Sequence, residues 1–199
     1  MKTGAKRFDT KRLVVLAVFT AIVVVLQYLG GFIRFGAFSI SLVLAPILVG
    51  AALYGPAAGA WLGFVFAIAV FITGDAASFL VVNAFGTIVT VLAKGILAGL
   101  CSGLVYRALE KKNMTLAVFA AAVVCPVVNT GVFLLGCCAF FLKTVAEWGA
   151  AAGYENVGAF MLFGFVGLNF VVELVINVVL GSVIVRLIQI GRKQGIGSK

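Results

Sequence analysis

Long apolar runs that almost no charge interrupts are the feature that most constrains this chain. The 199 residues are 64% hydrophobic and 11% charged, and the mean hydropathy is +1.25. A membrane-spanning helix needs roughly 20 consecutive apolar residues, and the chain holds about six such runs. Little sequence remains outside them for a soluble domain. We therefore expect an all-α membrane protein, a single six-transmembrane-helix bundle over residues 1–199 in the cell membrane.

The six predicted helices follow from the apolar runs and from the Gly and Pro residues between them. In chain order they cover residues 13–29, 38–53, 57–72, 81–109, 115–142 and 157–190. A basic stretch runs directly into the first one, without the short apolar region and cleavage site of a signal peptide, so we expect that helix to be retained. No internal repeat supports an inverted-repeat transporter.

The distribution of basic residues predicts the orientation. Three segments carry most of them: Lys2, Lys6, Arg7, Lys11 and Arg12; Arg107, Lys111 and Lys112; and Arg186, Arg192, Lys193 and Lys199. With six helices these segments share one side, whereas Arg34 and Lys143 lie on the other beside three acidic residues. We predict cytoplasmic N- and C-termini, with residues 1–12 as a basic cytoplasmic tail. The same distribution explains the net charge of +9 without a nucleic-acid partner.

Polar residues inside the apolar runs form stripes that point to a binding site. Predicted helix 4 carries Asn83, Thr87, Thr90 and Lys94 on one face, and predicted helix 6 carries Asn169, Glu173 and Asn177 at steps of four. Predicted helix 5 adds Asn129 and Thr130, just after Pro126, which can kink the helix. At the helical rise of about 1.5 Å per residue, these residues can meet near the middle of the membrane.

Two interpretations of the stripes remain open. Lys94 and Glu173 can neutralise each other and only fix helix packing, or they can line a cavity that opens outward to a polar ligand. The polar trail from Asn83 to Lys94 favours the cavity. The loop between predicted helices 1 and 2, residues 30–38, is the first outer loop. It is either an interfacial aromatic anchor or a lid in which Arg34 attracts an anionic group.

The chain lacks several residue types and motifs that catalysis, metal binding or ATP hydrolysis would need. The chain has no histidine, no phosphate-binding loop and no CxxC pair among its four cysteines. We therefore expect no metal site, no cofactor, no hydrolysis of ATP and no enzymatic activity. The glycine stripes of Gly55, Gly59 and Gly63 and of Gly95, Gly99 and Gly103 are interpreted as internal helix packing.

Local motifs, with the size and topology, resemble the substrate-binding S components of energy-coupling factor (ECF) vitamin transporters. Residues 17–21 (AVFTA) match the AxxxA motif of that family, and residues 53–59 (LYGPAAG) resemble its turn after helix 2. The resemblance implies a subunit that captures a vitamin from outside at the first outer loop and helices 4 to 6. It implies docking through Ala17 and Ala21 onto a membrane coupling subunit driven by two ATPases, and substrate binding by the polar stripes.

The choice of vitamin follows from the same resemblance. Residues 83–87, 92–95, 125–131 and 169–173 look most similar to pantothenate-type members, and a buried lysine with asparagines suits a small hydroxylated carboxylate. Neither Trp61 nor Trp148 is expected near the polar stripes, which disfavours large flat ligands such as riboflavin or folate. Those vitamins, another cofactor precursor, an autonomous proton-coupled secondary transporter and a membrane scaffold without ligand remain the alternatives.

Overall fold

The computed structural model describes residues 10–30, 34–35, 38–39 and 42–193, and these form a helical bundle. Five of the described helices are long and apolar enough to cross a membrane. They are α1 (Thr10–Gly30), α3 (Pro56–Thr73), α5 (Ala84–Leu109), α6 (Met114–Phe140) and α9 (Gly167–Lys193). The shorter helices are α2 (Leu44–Tyr54), α4 (Ala77–Val82), α7 (Leu142–Ala151) and α8 (Val157–Ala159), which a π-helical segment (Phe160–Phe165) follows.

The second predicted helix is the clearest departure from expectation. Instead of a helix over residues 38–53, a two-stranded antiparallel hairpin, β1 (Arg34–Phe35) and β2 (Phe38–Ser39), pairs Phe35 with Phe38, and helix α2 begins only at Leu44. The 11 residues of α2 reach about half of a 30 Å hydrocarbon layer. Residues 38–41 alternate apolar and polar side chains, a strand pattern that an apolar count overlooks.

Two further predicted helices are interrupted. Asn83 has an extended backbone and separates α4 from α5, because its side chain accepts a hydrogen bond from Gly86 N and caps α5. The last predicted helix widens into the π-helical segment before α9 begins at Gly167. Among the described residues five helices are long enough to span, with short ones between them, and the expected six uniform spans are not confirmed.

The two glycine stripes pack against each other at the centre of the bundle. A Cβ atom added at Gly63 would collide with the carbonyl of Gly95, and one added at Gly59 would collide with the carbonyl of Gly99. Close backbone approach is what small residues allow where lipid removes the hydrophobic drive for helix association. Helices α3 and α5 thus pack closely, and α1 and α2 contact α3, whereas α6 packs on α5 and α9 packs on α6 and α2.

Contacts at the two ends of the bundle distinguish one end from the other. Arg12 at the start of α1 donates to the carbonyl of Tyr54, and Arg192 at the end of α9 binds Glu110 and Tyr106 at the end of α5. We call this the basic end. At the opposite end, which we call the far end, Gln27 of α1 meets the loop after α3.

Candidate functional site

A cavity of about 70 Å³ lies in the half of the bundle nearer the far end, enclosed by α1, α3, α5, α6 and α9. That volume holds several water molecules, since about 10–15 Å³ suffices for one. The polar side chains that line it come from five segments: Gln27, Asp75, Thr87, Thr90, Lys94, Asn129, Thr130, Asn169 and Glu173. The apolar part of the lining includes five phenylalanines: Phe66, Phe79, Phe133, Phe141 and Phe170.

Lys94 lies about 15 Å along α5 from its first residue, near the middle of the bundle. Its ammonium nitrogen stands 5.5 Å from the ring centroid of Phe66 and 5.4 Å from that of Phe133. Glu173 and Asp75 attract it electrostatically across the cavity. Within the described part of the chain no salt bridge joins Lys94 to an acidic residue.

Glu173 forms two hydrogen bonds within its own helix. It is 2% exposed, and its Oε1 accepts a hydrogen bond from Asn169 Nδ2 at 3.2 Å. Its backbone carbonyl accepts from Asn177 Nδ2 at 2.8 Å. The four-residue spacing that stacks these side chains on one helix face therefore also makes them partners.

Three buried oxygens in the cavity wall make no hydrogen bond within the described residues. They are Thr90 Oγ1 on α5, Asn129 Oδ1 on α6 and Asn169 Oδ1 on α9. Thr87, by contrast, donates to the carbonyl of Asn83 at 2.7 Å. Buried polar groups are nearly always hydrogen-bonded, so three such atoms around one cavity indicate a place for a polar ligand.

Gln27 and Asp75 line the cavity but were not among the predicted site residues. Gln27 is 2% exposed, and its Nε2 donates to Asp75 Oδ2 at 2.6 Å, which joins α1 to the loop after α3. Gln27 is the one amide within the apolar run of the first helix, so the criterion that selected Lys94 could have found it. Asp75 was interpreted only as a loop residue.

Three predicted substrate-binding residues are not part of the cavity wall as described. Asn83 caps α5, and Asn177 is buried one helical turn beyond Glu173, away from the lining. The backbone of Arg34 belongs to β1, but its side chain lies outside the described residues, as does most of the proposed lid.

The aromatic rings around the cavity come from phenylalanines, and neither tryptophan is among the lining residues. Trp148 on α7 packs edge-on against Phe79, a cavity residue, with ring centroids 5.4 Å apart. Trp61 lies elsewhere and donates to Thr20 of α1 at 3.3 Å. Phe79 also contacts Phe133 and Phe141 edge-on. Neither tryptophan lines the cavity, but its phenylalanine rings could stack against a flat ligand, so the absence of tryptophan does not by itself exclude one.

The predicted docking alanines, Ala17 and Ala21, lie on the exposed face of α1. Ala17 also lines a surface groove between α1 and α3, together with Arg12, Leu13, Leu16, Thr20, Ala57, Ala58 and Trp61. Helix α1 buries only Val23, Gln27 and Gly30 fully, so most of its surface faces outward.

Comparison with known proteins identifies the family. The ECF transporter, substrate-specific component family matches residues 11–187. Searches of curated proteins and of solved structures returned no match. The match covers nearly the whole chain, including α1 and every helix that lines the cavity. The chain therefore belongs to the substrate-specific components of ECF transporters, which are multi-pass membrane subunits that bind a transport substrate, are not enzymes and associate with ECF coupling and ATPase subunits.

Proposed function

We propose that this chain captures a small anionic vitamin, pantothenate in the first place, from outside the cell and delivers it to an ECF module. The observation that carries the proposal is Lys94, a cation in the middle of the bundle whose described contacts are aromatic rings and which borders a cavity that eight other polar side chains also line. Its ammonium is the group to which a ligand carboxylate would bind.

The orientation follows from the basic end. Arg12, Arg107 and Arg192 lie at or near this end, and cytoplasmic loops are enriched in Lys and Arg. We therefore place the basic end and both termini in the cytoplasm. The cavity then lies in the outer half of the membrane, where a ligand from outside can reach it.

Pantothenate matches the chemistry of the cavity wall. Its carboxylate suits Lys94, and its hydroxyls and amide suit the wall formed by Thr90, Asn129 and Asn169. A molecule of that size exceeds the present cavity, so we expect the wall to widen when it binds.

A flat vitamin such as riboflavin or folate is the second candidate. The five cavity phenylalanines, with Trp148 behind Phe79, provide rings against which such a ligand could stack. This candidate differs from pantothenate in depending on the aromatic wall rather than on Lys94.

Two measurements on the purified protein test the assignment. Mass spectrometry of co-purifying small molecules identifies the ligand, and isothermal titration calorimetry compares pantothenate, riboflavin and folate. Binding of pantothenate supports the first choice, and exclusive binding of riboflavin or folate replaces it with the second. Uptake in cells without the ATPase and coupling subunits would instead indicate an autonomous, proton-coupled carrier.

A further inference from the structure

We infer that Glu173 is a positioning residue that turns the Asn169 amide so that its oxygen faces the ligand. The cavity consequently selects a vitamin that carries a hydroxyl or N–H donor in addition to its anionic group. This inference deepens the proposed function and rests on it for the identity of the ligand, but not for the geometry of the two side chains.

The hydrogen bond between the two side chains fixes the amide orientation. Asn169 Nδ2 donates to Glu173 Oε1 at 3.2 Å. A carboxylate only accepts, whereas an asparagine presents an NH₂ donor on one side and an oxygen acceptor on the other. The NH₂ side must therefore face Glu173, and Oδ1 must point away from it. Without this partner the two sides of the amide could exchange by a half-turn.

The third polar residue of the stripe binds the helix backbone. Asn177 Nδ2, one turn further along α9, donates to the Glu173 carbonyl at 2.8 Å. Glu173 is 2% exposed and Asn177 is 1% exposed, so both side chains are shielded from bulk water. The Glu173–Asn169 hydrogen bond is present without a ligand, which lowers the entropic cost of ordering the Asn169 amide on binding.

The atom that this arrangement presents lacks a hydrogen bond. Asn169 Oδ1 is buried and has no partner within the described part of the chain, and the same holds for Asn129 Oδ1 and Thr90 Oγ1. All three residues line the cavity, each from a different helix. The two amide oxygens only accept, so they call for donors on the ligand. A ligand without a donor would leave such an oxygen unpaired, which costs about 1–3 kcal/mol, or at least a fivefold loss of affinity.

A matched pair of ligands tests the selectivity. Titration calorimetry compares pantothenate with the analogue in which hydrogen replaces the hydroxyl next to the amide. We expect the unmodified protein to prefer pantothenate about tenfold, an effect within the range for one unpaired buried group. Asn169→Leu and Glu173→Leu should each reduce that ratio to about threefold or less. Glu173→Gln should restore it, because its amide oxygen still accepts from Asn169.

Two control variants separate this effect from general damage. Glu147→Leu makes the same chemical change on the exposed surface of α7 and should leave the ratio unchanged. Lys94→Met should weaken both ligands alike, because it removes the partner of the carboxylate that they share. If Glu173→Leu does not fold, Asn169→Leu carries the same prediction, since it removes the oxygen itself.

A ligand-free measurement keeps the inference independent of the vitamin. Nuclear magnetic resonance of asparagine side-chain amides, with Asn169 assigned from its absence in Asn169→Leu, reports the hydrogen bond directly. The Asn169 signal should move in Glu173→Leu and stay in place in Glu173→Gln. An unmoved signal in Glu173→Leu, or an unchanged ligand ratio there, overturns the inference. Failure of pantothenate to bind the unmodified protein overturns only the choice of vitamin.

Discussion

At the scale of single residues, Lys94 is the side chain whose position needs an explanation. A lysine at the centre of a membrane helix costs about 2.5–3.5 kcal/mol on insertion scales. Contacts with aromatic faces return about 0.5–2 kcal/mol each, so Phe66 and Phe133 offset much of that cost. Rings hold a cation without neutralising it. We therefore expect Lys94 to remain available to an anionic ligand, which a tight salt bridge would prevent.

Replacing Lys94 tests its role in binding. Lys94→Met should weaken pantothenate binding tenfold or more, about 1.4 kcal/mol, in titration calorimetry. The fold should survive, because Glu173 keeps its hydrogen bond from Asn169 and can take up a proton. Lys143→Met, on the exposed side of α7, is the matched control and should bind normally. Unchanged affinity in Lys94→Met would make Lys94 a structural residue.

The Gln27–Asp75 hydrogen bond carries a second residue-scale prediction. It ties α1 to the loop after α3, and bonds to a charged group contribute about 1.5–3 kcal/mol. Gln27→Leu should therefore lower the thermal unfolding temperature of the detergent-solubilised protein by several degrees. Gln189→Leu, exposed near the end of α9, should not. Equal unfolding temperatures for the two variants would show that the bond adds no stability.

At the scale of elements, the close contact between α3 and α5 fixes the distance between two helices that line the cavity. Gly63→Ala should destabilise the protein by about 1–3 kcal/mol, as overpacking of a tight interface does. The added methyl would meet the Gly95 carbonyl, which is backbone and cannot turn aside. Gly131→Ala on α6 is the control, because its Cβ would meet no atom within 4 Å. Thermal unfolding of both variants in one detergent measures the difference, and equal stability would contradict the close packing.

Helix faces could be predicted from the sequence, whereas interruptions of helices could not. Regular spacing brings Thr90 and Lys94 to one face of α5 and Asn169 and Glu173 to one face of α9, because long apolar helices leave few alternatives. Asn83 was assigned to the same face, but an asparagine caps a helix as readily as it lines one. The short α2 and the π-helical segment depend on tertiary packing, which cannot be read from the number of consecutive apolar residues. Gln27, the one amide in the first apolar run, could have been found by the criterion that selected Lys94.

At the scale of the whole molecule, the cavity and the exposed face of α1 that carries Ala17 lie apart, both along the bundle axis and across it. The cavity occupies the half nearer the far end, whereas Ala17 lies on the exposed side of α1, nearer the basic end. Family membership supplies the partner for such a surface, since these components associate with coupling and ATPase subunits. Binding and docking should therefore be separable by substitution.

The double variant Ala17→Leu, Ala21→Leu tests that separation. Both alanines are exposed and share one face of α1, and small side chains let another helix approach closely. Leucine at both positions should block that approach and abolish uptake in cells that contain the coupling and ATPase subunits. Vitamin affinity in detergent should stay within about twofold of the unmodified protein, a change below 0.5 kcal/mol, because neither alanine lines the cavity.

A bulky substitution elsewhere on the same helix provides the control for this experiment. Ile22 is also exposed but lies about 140° round the helix from Ala17. Ile22→Trp should therefore bind the vitamin and support uptake, which excludes a general effect of bulk in lipid. Normal uptake by the double variant would show that this face of α1 is not the docking surface. Loss of vitamin binding in detergent would show instead that α1 transmits the change to the cavity, through Gln27 as the nearest link.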